Sequence, residues 1–256
     1  MKLLGHAWVA VNARPQGNRK LLILGSILPE IMYYTKDHPF EFEEIHEGGD
    51  IVYSYLKSKK PEWTDLGLGM LAHSVKAGAD KYNFDENLAT LGYEGKQVDK
   101  LRKQLSDVLG VSNETAKTRA HNILELAVEL KIIKENPDFV RDFSKAVADK
   151  VARKQIIEIL LGCFQKSIES VSRSTNELLD KARPSYFDGA EGLANLWAEL
   201  SKEFDPPPDK RRLARLLEEL SEGYEDRDKS FLKECIDWTR GNLEAASARP
   251  KIVSRV

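Results

Sequence analysis

The chain has 256 residues, with 39 Lys and Arg against 41 Asp and Glu, so its formal net charge is −2. That balance argues against a dedicated nucleic-acid binder, which carries a basic excess. With 41% hydrophobic and 31% charged residues the chain can fill a sizeable core, which excludes a disordered, collagenous or disulfide-stapled protein.

Apolar residues recur at i, i+3, i+4 and i+7 along most of the chain, and strand-like alternation is scarce. The expectation is an all-α multi-helix bundle. Helices are predicted over 4–13, 19–34, 43–58, 63–82, 97–108, 113–133, 138–181, 189–203, 208–222 and 228–246. Pro61, Pro137 and Pro184 fall between periodic runs, and Asn113 precedes one as an N-cap does. Pro206-Pro207-Pro208 before Asp209 reads as a rigid connector into a new helix, either a domain boundary or a link inside one bundle. The opening segment superficially resembles a signal peptide, but His6 interrupts it, Asn12 and Arg14 follow, and no stretch reaches the roughly 18 apolar residues that span a bilayer. A soluble, cytoplasmic protein is expected. Cys163 and Cys235 stand far apart, in no C-x-x-C pair, and read as buried free thiols. The basic cluster at 210–215, followed by Glu218, Glu219 and Glu222, reads as a salt-bridged solvated face, and the last ten residues as a frayed tail.

All five histidines (6, 38, 46, 73 and 121) lie within residues 1–137. That region is expected to hold the chemistry, with 138–256 as additional helices packing on it and the connector at 205–208. On the helix predicted over 63–82, Leu66, Met70, His73, Ala77 and Asp80 share one face. Its apolar members point it inward, so His73 and Asp80 are expected as buried groups about 10 Å apart along the axis. Buried polar groups need partners, here a metal ion or a hydrogen bond from a neighbouring helix. His121 and Glu125 stand one turn apart beside Leu124 and Val128, a pair suited to gripping a divalent ion or to a surface ion pair. Glu30 follows Ile27-Leu28-Pro29 as a ligand or as a carboxylate favoured by a helix N-terminus. His46 stands in EEIHEGGD with Asp50 at i+4 as a reserve ligand, and His38, beside Pro39, reads as an exposed loop residue.

Taken in order, these pieces resemble the zinc-dependent phospholipase C family and the zinc-dependent single-strand nucleases that share its fold. The matching elements are His6 on a first helix, Gly25 to Glu30 as G-x-x-x-P-[DE], His46, Gly69 to His73 as G-x-x-x-H followed by Asp80, and His121 with Glu125 as H-x3-E. The resemblance covers residues 5–125. It implies that fold, metal ligation by His6, Glu30, His46, His73, Asp80, His121 and Glu125, and hydrolysis of a phospholipid or other small phosphoester. The chain departs from the family in three ways. Ala77 stands where the family's Asp follows its His by four residues, no His lies between 73 and 121, and nothing signals the processed N-terminus that secreted members use as a ligand.

A catalytic zinc takes about three protein ligands and keeps one position open, so seven donors suit about two ions rather than three. Two ions would polarise a phosphoester and acidify a bound water, and Asp80 is the candidate catalytic base if it does not ligate. Mixed His and carboxylate donors suit zinc, with iron and manganese as alternatives. Two other classes stay open: a non-enzymatic helical metal-binding or partner-binding protein, and another helical metal phosphohydrolase, such as the HD class, against which the missing His-Asp dipeptide speaks. For Asp80 the alternatives are a local break near Gly78 that brings it to the metal, a second metal one turn deeper, or a degenerate site. The expectation is ligation, because an unpartnered carboxylate on an apolar face is strongly unfavourable.

Overall fold

A computed structural model describes residues 2–82, 96–201, 208–223 and 225–248, and every regular element among them is helical. The first half contains α1 (Leu3–Ala13), α2 (Arg19–Ile27), α3 (Ile31–Tyr34), α4 (Phe42–Ile45), α5 (Gly49–Lys59), α6 (Thr64–His73), α7 (Lys96–Leu109) and α8 (Asn113–Glu135). Then come α9 (Pro137–Val147), α10 (Lys150–Cys163), α11 (Ile168–Lys181), α12 (Ala190–Leu200), α13 (Lys210–Gly223) and α14 (Glu225–Ala248). Short 3-10 turns at Leu28–Glu30, Pro61–Trp63, Ala79–Tyr82 and Pro184–Phe187 join some of them.

Four predicted helices are shorter than periodicity suggests. The run over 19–34 breaks at Leu28–Glu30, where Pro29 removes a backbone donor. The run over 43–58 splits around His46 and Gly48. The run over 138–181 is three helices, because Asp149 accepts from the backbone N–H groups of Val151 and Ala152, and Ser167 accepts from that of Ser170, each starting a new helix. The run over 63–82 ends at His73. The next backbone donors, Val75 N–H and Lys76 N–H, are taken by the Glu47 carboxylate at 2.9 and 3.4 Å instead of by the helix. The chain then folds back so tightly that a Cβ at Gly78 would overlap the Ala72 carbonyl. Residues 205–207 of the predicted connector and 249–256 of the predicted tail lie outside the described residues, while Ser247 and Ala248, the first two of that tail, still belong to the last helix.

At the centre α2 packs against α6, with α1 and α5 on either side. The α2–α6 contact is backbone against backbone. A Cβ at Gly25 would overlap the Leu66 carbonyl oxygen, and one at Gly69 would lie 2.6 Å from the Leu22 carbonyl oxygen. The glycines of the two motifs thus meet each other. The second half packs on this centre rather than standing apart: α9 lies on α2, α10 on α5, α11 on α3, and α14 on α1, α6 and the Ala79–Tyr82 turn. Cys235 is buried and Cys163 partly so, both as free thiols. Arg211, Arg212 and Arg215 are exposed, as a solvated face requires. No described helix is long and apolar enough to cross a membrane.

Candidate metal centre

The breaks in the helices build the site. His6 comes from the first turns of α1, Glu30 from the 3-10 turn that Pro29 forces after α2, and His46 from the residue that ends α4. His73 is the last residue of α6, and Asp80 returns to it on the Ala79–Tyr82 turn. His6 Nε2 lies 3.2 Å from Asp80 Oδ1 and 3.6 Å from Glu30 Oε1. His46 Nε2 lies 2.7 Å, and His73 Nε2 3.3 Å, from Asp80 Oδ2. The donors form two overlapping groups, His6–Glu30–His73 and His46–His73–Asp80, each with ligand atoms within 4.8 Å of one another. None of the five residues is more than 5% exposed.

The expected 10 Å offset between His73 and Asp80 is therefore corrected. It assumed an unbroken helix, whereas the helix ends and the chain doubles back. The backbone breaks after His73, ahead of Gly78, and returns Asp80 to the end of the helix.

The tautomers are set by the outer contacts. His73 Nδ1 is 2.8 Å from the Ser26 carbonyl oxygen, which can only accept, so Nδ1 carries the proton and Nε2 keeps a lone pair. His46 Nδ1 stands 3.1 Å from Glu47 Oε1 and is held the same way. Such partners orient metal-ligating imidazoles. The Nε2 atoms of His6, His46 and His73 are all buried, and each faces an Asp80 oxygen at 2.7 to 3.3 Å. A buried set of imidazole and carboxylate donors within 4.8 Å of one another is of the kind that divalent ions take. The residues present therefore fit a divalent metal.

The electrostatics point the same way. Burial, helped by the neighbouring His73, pulls the His6 pKa down to about 3 against the attraction of Asp80. His6 is thus neutral at physiological pH, the form that ligates. Burial pushes Asp80 upward, but His73, His6 and His46 outweigh it and hold its carboxyl well below the usual range. Burial raises the pKa of Glu30, with His73 and Lys2 pulling against it.

The remaining candidates lie elsewhere. His121 and Glu125 sit on α8 outside the two close groups. His121 is half-buried, and Glu125 is buried 3.3 Å from Lys2 Nζ. Burial would raise the Glu125 pKa, but nearby positive charge, Lys2 and His121 included, brings it to about 2. Asp50, the reserve ligand, is exposed, and its Oδ1 accepts from the Ile51 N–H. His38 is half-buried rather than exposed, and its Nδ1 lies 3.0 Å from the Phe40 carbonyl oxygen, away from the cluster.

Two contributors carry no clear signal in the sequence. Glu47 orients His46 and ends α6 at once. Its only signal is its place beside His46, and a helical pattern gives neighbours at i+1 no shared face. Glu47→Ala should weaken metal binding about 10- to 100-fold, the usual range for an outer partner, as read by competition with a chromogenic chelator. Unchanged affinity would mean that the His46 ring is held by packing alone. The other contributor is α14. Lys81, next to Asp80, places its ammonium 3.2 Å over the Trp238 ring, Tyr82 meets Phe231 edge-on, and Arg240 donates to the Asn12 carbonyl of α1 at 3.2 Å. The last helix thus braces the elements that carry His6 and Asp80. On another side Tyr33, 62% exposed, meets the His46 ring edge-on at 6.1 Å, so solvent comes within one side chain of the cluster.

No protein-family model matches the chain, and neither a curated protein nor a solved structure does so.

Proposed function

We propose that the chain is a metal-dependent hydrolase acting on a phosphoester, a phospholipid or another small phosphoester, at its His/carboxylate cluster. The observation that carries this reading is the convergence of three buried imidazole Nε2 atoms on Asp80, two of their rings being tethered through Nδ1. The ordered motifs of the phospholipase C and nuclease resemblance support it. His6, Glu30, His46, His73 and Asp80 would hold metal, with His121 and Glu125 as a further pair on α8. Zinc suits the donor set best, with iron and manganese as alternatives.

When bound, such ions act as Lewis acids on phosphoryl oxygens and acidify water. The chain's own part is to keep the His6 imidazole neutral, to tether the His46 and His73 rings through Nδ1, and to keep Asp80 ionised. Asp80 can then either ligate or accept a proton. Burial favours a second reading, a protein that binds metal without turnover, since all five donors are shielded and a catalytic ion needs an open position.

Elemental analysis of untagged protein incubated with zinc, iron or manganese should find about two ions per chain, and bis(p-nitrophenyl) phosphate should be hydrolysed. Metal without turnover selects the second reading, and no metal at all sinks both. His38→Ala, outside the cluster, should leave the metal content unchanged.

A further inference from the structure

We infer that Glu129 is a positioning residue for His6: from α8 it provides the N-terminal cap that α1 lacks in its own sequence. The first N–H groups of any helix have no partner within it. α1 starts at Leu3, with Lys2 in the capping position, and Lys2 makes no side-chain capping bond. Leu3, Leu4 and Gly5 are all buried, so water is not at hand for their amides. Glu129, itself fully buried, fills the gap across 124 residues of chain: its Oε1 accepts from the Gly5 N–H at 2.9 Å. Burial pushes its pKa up to about 7 even though the Gly5 and Leu4 amides pull it down.

The contact bears on the metal centre because His6 is the residue after Gly5, and its own N–H closes on the Lys2 carbonyl at 3.0 Å. His46 and His73 are each oriented by a partner on Nδ1, whereas His6 has no Nδ1 partner among the described residues and meets only the cluster itself, through Nε2 at 3.2 Å from Asp80. Outside the cluster, the His6 ring is therefore placed by its backbone alone, its other contacts being Asp80 and its stack on His73 at 3.8 Å between centroids. Fixing the start of α1 does for His6 what the Nδ1 tethers do for the other two. One face of α8 carries the whole grip, since Asn122 Oδ1 accepts from Lys2 Nζ at 2.6 Å and Glu125 stands beside the same ammonium. Residues 122, 125 and 129 share that face.

The link to metal rests on the function proposed above, but the placement of the ring does not, and the test separates them. In the metal-free full chain, Glu129→Ala should move the His6 imidazole signals in a 1H–15N spectrum while those of His38 stay in place. Zinc affinity, read by chelator competition, should fall about tenfold. Glu129→Gln keeps one acceptor oxygen and should hold affinity within about threefold of the parent, far less than loss of an outer partner costs. Should the alanine variant not fold, Glu129→Asp decides. It withdraws the acceptor by about 1.5 Å, one carbon–carbon bond, and should shift the same His6 signals. Unmoved His6 signals in the folded variants, or equal effects of Gln and Ala, would overturn the proposal, as would moved signals with zinc affinity intact. A parent chain that binds no zinc would remove the metal reading and leave the His6 signals to judge the cap.

Discussion

Gly25→Ala should destabilise the fold by about 3 kcal/mol, the upper end of what overpacking usually costs, and weaken metal binding with it. The added methyl would overlap the Leu66 carbonyl oxygen and stand 3.1 Å from the Gly69 Cα. Those obstacles are backbone, so no change of rotamer relieves them, and α2 and α6 must separate. The same approach delivers the Ser26 carbonyl to His73 Nδ1 at 2.8 Å. A shift of even an ångström breaks that bond and lets the His73 ring turn. Urea denaturation and zinc binding should therefore fail together. Gly241→Ala is the contrast. It lies on the exposed side of α14 with nothing within 4 Å of the added atom, and it should be neutral or stabilising by up to about 1 kcal/mol, the helix-propensity difference. A Gly25→Ala protein as stable as the parent would show that the two helices can part without cost.

The helical class is legible in the sequence because a 3.6-residue period survives wherever one face of a helix is buried. The breaks are less so, because the apolar spacing runs straight through the local residues that make them and, at the end of α6, a tertiary partner adds its part. After His73 the chain turns because Ser74 Oγ accepts from the Ala77 N–H at 3.2 Å and Glu47, 28 residues earlier, takes the Val75 N–H. Asp149 and Ser167 are cap residues by type, but they sit in runs whose apolar spacing carries straight through them. The same cause limits what the sequence says of the site. His6, Glu30, His46, His73 and Asp80 stand out as polar residues set in apolar surroundings, and the fold brings them together. Their mutual geometry is not legible, since it depends on where α6 stops. Glu129 stays hidden because it is one of four glutamates on α8 and looks like a solvent-facing residue until α1 is laid against it. Ser26 contributes a backbone carbonyl, which any residue there would have offered.

Asp80→Ala should abolish tight metal binding, with a loss beyond the roughly 100-fold that removal of an outer partner can cost. Its two oxygens are what the three histidines share: Oδ1 faces His6, and Oδ2 faces His46 and His73. No substitution elsewhere in the cluster removes a neighbour from all three rings at once. The metal-free protein offers an independent check through pH. Burial works to lower the His46 pKa, but Asp80 and Glu47 outweigh it and hold the group above its ordinary 6.5. A histidine raised in this way contributes stability that is fully present below 6.5 and is lost as pH rises through its folded value. Removing Asp80 removes much of that contribution, so the gap in urea midpoint between parent and variant should be wider at pH 6 than at pH 9. A gap of the same size at both values would mean that Asp80 does not hold the His46 proton. Asp80→Asn separates ligation from proton transfer, because the amide keeps one oxygen and the side chain's shape but cannot accept the proton of an attacking water. If the asparagine variant keeps its metal and loses phosphodiester turnover, Asp80 acts as the base. If metal and turnover fall together, it acts as a ligand. If both match the parent, the two short distances to Oδ2 are packing and no more, and the family likeness fails at the residue where the chain departs from the family's spacing.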